Sequence, residues 1–243
     1  MLEKDQAICL RTVDYSDTSQ IVTLFGRNSG KISAIAKGSK RAKSAFEGPI
    51  EVFSFGQIVF STPASGKLAT LTEFGQRPIF RQLRNRLFAL NCGFFAVELI
   101  DNLTHEHDRH PALFDAMVQF LEDVQSSVDD AQGLCFLVLF QLSLLEEIGT
   151  RPVLGRCANC KAAYNENWQR VYFSSAANGL LCPDCETSFE DKMRIGKDCA
   201  ACFSDIRQIG TASRQTLNEM ERVLVEDFSA MMHRRPKMAK YFL

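Results

Sequence analysis

The chain has 243 residues, enough for one large domain or two to three small ones at roughly 100–200 residues each. Hydrophobic residues make up 46% and charged residues 23%, with 14 glycines and 7 prolines, which excludes a disordered, collagen-like or linker-dominated chain. The formal net charge is only −1, and the most apolar run, residues 134–145, contains Gln141 and Ser143 and falls short of the roughly 20 apolar residues of a membrane span.

From the amino-terminal end the pattern is short, β-rich and punctuated. Strands are predicted at 7–13, 21–25, 31–36, 50–60 and 68–74, with turn signals at Asn28-Ser29-Gly30 and Thr62-Pro63-Ala64-Ser65-Gly66. Five strands in so short a length suit a closed barrel, which removes exposed sheet edges, and the five-stranded oligonucleotide-binding (OB) barrel is the common solution. Phe53, Phe55 and Phe60 are candidate stacking faces for bases. Phe53 and Phe55 stand two apart on one predicted strand, however, so alternation points both into the barrel core.

Charge is distributed unevenly over this length. Residues 27–43 hold Arg27, Lys31, Lys37, Lys40, Arg41 and Lys43 and no acidic residue, and residues 77–86 add Arg77, Arg81, Arg84 and Arg86, again without a carboxylate. A single charge run reads most simply as a solvated face. Two acid-free basic stretches ahead of an acidic block favour a polyanion site on the first 86 residues. The six cations of 27–43 are therefore the candidate DNA-binding residues, and they are expected to form one cationic surface. Gly26 to Lys31 does not make a phosphate-binding loop, because the glycines are too close and no Ser or Thr follows the lysine.

After Pro78 the apolar period becomes helical, with segments at 83–103, 111–125, 131–148 and 211–231. Pro111 suits a first helical turn, and Gly149 followed by Pro152 reads as a stop. The third segment is apolar on nearly all sides, as expected at the centre of a bundle. Residues 87–149 carry eleven carboxylates against Arg109 alone, which suggests that this part meets other partners than the basic stretches do. His105, His107 and His110 fall in a polar break between helices and read as an exposed turn.

Nine cysteines include three Cys-x-x-Cys pairs, Cys157/Cys160, Cys182/Cys185 and Cys199/Cys202, while Cys9, Cys92 and Cys135 sit among apolar neighbours as small hydrophobes. In a reducing compartment the paired spacing points to metal rather than to disulfides. The first two pairs flank 21 residues that read as a β-hairpin around Asn178-Gly179, the arrangement of a zinc ribbon. Two such knuckles bring four thiolates to one tetrahedral Zn2+ and leave no open position for catalysis. The third pair lies 13 residues beyond the second, so a ribbon from Cys182/Cys185 and Cys199/Cys202 is also legal; the hairpin favours the first two pairs. No nucleophile and base stand at motif spacing, so no enzyme is expected. The first ten residues lack a basic, apolar, small-residue leader, which is read as a cytoplasmic setting.

The order of parts predicts an α+β protein: an OB-fold barrel over 1–78, then a mainly helical domain over 79–243 carrying a four-cysteine zinc-ribbon insert at about 156–202. With Leu10-Arg11, Tyr15-Ser16-Asp17, Gly30-Lys31, the run from Ala36 to Ser44, the two cysteine pairs around Phe173 and Asn178-Gly179, and the basic, aromatic end from Lys237 to Leu243, the chain resembles the RecO family of bacterial recombination mediators. The resemblance implies binding of single- and double-stranded DNA and annealing of complementary strands. It also implies contacts with RecR and with the single-strand DNA-binding protein, help in loading RecA, no covalent chemistry, and a place in the bacterial cytoplasm at the nucleoid. The Cys199/Cys202 pair is outside that family pattern. A rival reading is a zinc-ribbon and OB-fold module that binds RNA or protein in a transcription or translation assembly, since fold alone does not fix function.

Overall fold

The structure, a computed structural model, describes residues 2–41, 43–62 and 68–243. Strands β1 (Leu2–Asp14), β2 (Gln20–Gly26), β3 (Gly30–Ala36), β4 (Phe55–Ser61) and β5 (Ala69–Arg77) form a closed barrel in the order β1-β2-β3-β5-β4, with β4 returning to β1. All neighbours are antiparallel except β3 and β5, which pair in parallel through Ala34↔Ala69, Ile35↔Thr70 and Ala36↔Leu71. Alternate residues point inward, as a strand period of two requires: Ala7 and Cys9, Val22 and Leu24, Ile32 and Ala34, Ile58 and Phe60 all join the barrel core. This is the OB arrangement that the sequence suggested.

The fourth strand starts at Phe55 rather than at residue 50. Phe53 takes a left-handed φ of 71°, and its N–H donates to Cys9 O while Ser54 O accepts from Cys9 N, at the point where the β1–β2 register shifts. Residues 44–54 instead cross as a loop that delivers Phe46 and Ile50 into the barrel core. Of the turn expected at 62–66, only Thr62 lies among the described residues.

Three long helices follow, α1 (Leu87–Leu103), α2 (Pro111–Gln125) and α3 (Asp130–Glu147). Compact packing divides the chain into two units, Met1–Asn85 with Ile100–Glu122, and Arg86–Leu99 with Asp123–Leu243. The first unit therefore takes in residues that the sequence reading assigns to the helical part. Phe114 of α2 packs against Phe25 and Phe55, with ring centroids 6.1 and 6.3 Å apart, and Ser33 Oγ donates to Glu106 at 2.6 Å.

In the second unit α3 is buried over most of its length and packs on α5 (Arg214–Met232). Ser213 caps α5, its Oγ accepting from Thr216 N, and His233 ends it at φ 53°. Phe242 stacks on Phe95 of α1 at 5.5 Å. Between these helices along the chain comes the ribbon sheet: β6 (Val171–Ser174), β7 (Gly179–Leu181) and β8 (Met193–Ile195), in the order β7-β6-β8. The hairpin was legible in the sequence; β8 and the short helix α4 (Lys197–Ser204) were not.

One buried polar pair joins α3 to α5. Gln141 Nε2 donates to Glu221 Oε1 at 3.1 Å, while Gln141 Oε1 and Glu221 Oε2 have no partner. Full burial pushes the Glu221 carboxyl up to about 7, the bond from Gln141 opposing this only partly. Protonation turns one of two unpartnered acceptors into a donor.

Candidate nucleic-acid face and four-cysteine centre

The basic loop after β3 is held by a buried amide. Gln20, at the start of β2, accepts from Ser39 Oγ and from Ile50 N, both at 2.9 Å, and donates to Ile50 O and to Thr12 Oγ1, both at 3.0 Å. All four bonding positions of the side chain are thus used, and Ser39 is fully buried in the middle of the charge run. A second set of bonds ties the loop to the β1–β2 turn: Gly38 N donates to Ser19 Oγ at 3.1 Å and Lys40 N to Thr18 O at 3.1 Å. Gly38 supplies the left-handed φ of 73° that this bend needs.

On this frame Lys37, Arg41 and Lys43 are exposed, and Lys40 is partly exposed with its ammonium 2.8 Å from Asp14 Oδ2. Exposed pairs of this kind contribute little, about 0–1 kcal/mol, so Lys40 is readily released to another anion. Sequence reading missed Gln20 and Ser39. The detectable signal was a serine beside a glycine inside a cationic run, which charge counting ignores.

The other two cations of the stretch are placed differently. Arg27 makes a two-pronged bond to Asp115, 2.8 and 2.6 Å from its two oxygens, and this partner raises the arginine's proton affinity and lowers that of the carboxylate. Lys31 is only 9% exposed; its Nζ donates to Asp101 O at 2.5 Å and Thr104 O at 2.7 Å and lies 3.8 Å from Asp101 Oδ1. Burial pushes the Lys31 ammonium below its usual value, with Asp101 and Glu106 pulling it back. Lys31, expected to neutralise phosphate, is instead an internal anchor for residues 101–108. Beside it, Gly30 at φ 69° meets the backbone of Asp108 so closely that an added Cβ would lie 2.1 Å from Asp108 O. The six cations therefore do not form one surface, and part of the acidic block serves the barrel's own cations.

The stacking candidates are also withdrawn from solvent, since Phe53, Phe55 and Phe60 are all buried. Phe55 packs edge-on to Phe80 at 5.8 Å.

In the ribbon, the sulfurs of Cys157, Cys160, Cys182 and Cys185 all lie within 4.8 Å of one another. Each pair sits in a tight turn. Cys157 N donates to Ala162 O at 2.8 Å, Lys161 takes φ 67° to let Lys161 N reach Cys157 O, and Cys185 N donates to Cys182 O at 3.1 Å. Ala158 N bonds to Leu180 O at 2.7 Å, which fastens the first knuckle to β7 beside the second. The Cys160 and Cys182 sulfurs are 3.7 Å apart. A tetrahedron of sulfurs about 2.3 Å from a central ion has edges of about 3.8 Å, so the four thiols can hold a metal ion. Burial raises the Cys157 thiol, but N–H groups of Cys182, Cys160 and Asn159 outweigh it and bring it down to about 6, while burial pushes Cys182 up to about 12. Four thiolates this close repel one another, and a divalent cation removes that cost. Cys199 and Cys202 stand apart on α4, buried, their thiols pushed up by desolvation.

Residues 1–76 match the family Recombination protein O N terminal, and residues 84–229 match Recombination protein O C terminal. The chain belongs to the RecO family. A DNA repair protein RecO of Rhodopirellula baltica is 34% identical over 200 residues, covering 82% of this chain and 73% of that one. Its counterpart in Halalkalibacterium halodurans is 29% identical over 218 residues, 88% and 82% of the two chains, and that of Bacillus velezensis 28% over 241 residues, 95% and 91%. RecO membership places the chain among proteins of DNA recombination and repair. Among the described residues no helix is long and apolar enough to cross a membrane.

Proposed function

We propose that this RecO-family chain is a non-covalent recombination mediator that gathers DNA on the barrel loop carrying Lys37, Lys40, Arg41 and Lys43. The observation that carries the reading is the exposure of these cations on a loop that Gln20 and Ser39 hold in place. Lysine and arginine there neutralise phosphates and release counterions, giving sequence-independent affinity for single- and double-stranded DNA. Two strands screened on one basic surface can anneal. The barrel over 1–78 takes the nucleic acid, and the helical part over 79–243 with its ribbon is available to protein partners. By family resemblance these are RecR and the single-strand DNA-binding protein, with RecA loading as the outcome, in the bacterial cytoplasm at the nucleoid. The ion suited to Cys157, Cys160, Cys182 and Cys185 is Zn2+, in a structural role: four sulfur donors saturate its tetrahedron. Lys31 is left out of the DNA surface because it is nearly buried and bonded to the Asp101 and Thr104 carbonyls, while Arg27, partly exposed in its pair with Asp115, lies outside the loop itself.

The test is binding and annealing of complementary oligonucleotides over a salt series, comparing the native chain with the Lys37→Ala/Lys40→Ala/Arg41→Ala/Lys43→Ala variant. Each phosphate contact to a single strand contributes about 0.7 to the log–log salt slope, so the variant is expected to flatten it by up to about 3 and to lose annealing. An unchanged slope overturns the assignment. A parallel competition with RNA of the same sequence separates DNA mediation from an RNA-binding role.

A further inference from the structure

Phosphate contacts alone do not tell a single strand from a duplex; an unpaired base must meet something that recognises its face. Every phenylalanine of the first unit is buried, the most exposed being Phe53 at 7%. The unit has no tryptophan, and its only tyrosine is Tyr15. Tyr15 is 63% exposed and stands two residues after Val13, itself 53% exposed. Histidines 105, 107 and 110 lie among Glu106 and Asp108, where carboxylates repel a phosphate backbone.

Tyr15 is held in place beside the cationic loop. Its N–H donates to Ser19 O at 2.9 Å and closes the β1–β2 turn. The same turn receives Gly38 N on Ser19 Oγ and Lys40 N on Thr18 O, and Asp14, the residue before Tyr15, receives Lys40 Nζ at 2.8 Å. An exposed ring is thus bonded through its own turn to the loop that carries Lys37, Lys40 and Arg41.

We propose that Tyr15 stacks on an unpaired base and so would give the barrel a preference for single strands over duplex. This rests on the DNA reading above and adds a term independent of it. The loop cations meet phosphates in either form of DNA and set the salt dependence, whereas the ring meets only bases that are not already stacked inside a helix and sets the ratio between the forms.

The experiment compares the native chain with Tyr15→Ala and Tyr15→Phe. Each is measured over a salt series on a single-stranded oligonucleotide, a duplex of equal length, and a single strand of the same length made of abasic nucleotides. Stacking of one base is worth about 1 to 3 kcal/mol, so Tyr15→Ala is expected to weaken binding to the normal single strand by about fivefold or more. Binding to duplex and to the abasic strand should stay the same, the salt slope should not move, and Tyr15→Phe should behave as the native chain. Equal losses on all three ligands, or no loss on the normal single strand, overturn the proposal. If Tyr15→Ala is silent while the four-cation variant flattens the salt slope, the stacking role alone falls. If the native chain shows no salt-dependent binding to any of the three, the DNA reading falls and the stacking role with it.

Discussion

In the first unit, buried polar groups are answered from within the protein. Asp5 receives Ser29 Oγ and the N–H groups of Gln6, Asn28 and Ser29, so that despite the opposing effect of burial its carboxyl stays below the usual range. Gln20 and Lys31 are likewise paired, and among the described residues no buried side-chain nitrogen or oxygen of this unit lacks a partner. The second unit contains Gln141, Glu221 and Asp227 with unpartnered buried oxygens, and four thiols gathered in one place. These groups can take up something from solution, a proton at a carboxyl or a metal ion at the thiols. The barrel should therefore be indifferent to chelator and to mild changes in pH, and the helical and ribbon unit should not.

The largest effect expected from this contrast is metal removal. Structural zinc sites in small peptides contribute roughly 10–16 kcal/mol of apparent binding energy, and the ribbon core has little else beyond Tyr172 and Leu181, with Trp168 and Phe189 packed against them. Chelator, or the Cys157→Ser/Cys182→Ser variant, should abolish hydrogen-exchange protection over residues 157–195 and leave residues 2–62 protected. Loss of protection in both segments together would break the comparison.

Next in size is the barrel's own anchor. Lys31→Met keeps the aliphatic stem but leaves the Asp101 and Thr104 carbonyls without their donor, a loss of about 4 kcal/mol in unfolding free energy, since each unpaired buried group costs about 1–3 kcal/mol. Denaturant unfolding measures it, and a change below about 1 kcal/mol would show that water replaces the amine.

The third concerns protons. Folded Glu221 keeps its proton up to about pH 7, whereas an unfolded glutamic acid releases it near the ordinary value of 4.5. Between those values the native state binds more protons than the unfolded one. The stability this group contributes is fully present below pH 4.5 and is lost as pH rises to about 7, by about 3 kcal/mol. Asp227, raised by burial to about 6 against a bond from Ser175, acts in the same direction. Glu221→Gln should flatten the fall in thermal midpoint from pH 5 to 7; an unchanged profile would assign the titration to other groups.

How much of this was legible in the sequence follows from how local each signal is. The β2–β3 turn, the strand alternation and the two Cys-x-x-Cys knuckles are written within a few residues, and they appear where expected. Lys31 was read as one cation of six because nothing nearby distinguishes it; its partners lie 70 and 73 positions away. Arg27 likewise finds its partner, Asp115, 88 positions away. The Phe53 bend depends on a register shift in β1, and no periodicity reports that. Among the cysteines, the hairpin between the first two pairs was the useful clue, while a third pair with the same spacing turned out to be helical, where positions i and i+3 share a face for packing.

The parallel seam between β3 and β5 rests on three register pairs joining positions some 35 residues apart, whereas β1, β2 and β3 form a local meander with short turns. Contacts distant along the chain are slow to form, because loop entropy must be lost before they bring any gain. The meander should therefore assemble early and the seam late. The cationic loop hangs from the β3 side of that seam, but Thr18, Ser19 and Gln20, which hold its Gly38, Ser39 and Lys40, belong to the early meander, so during biosynthesis the loop should take its shape before the barrel closes.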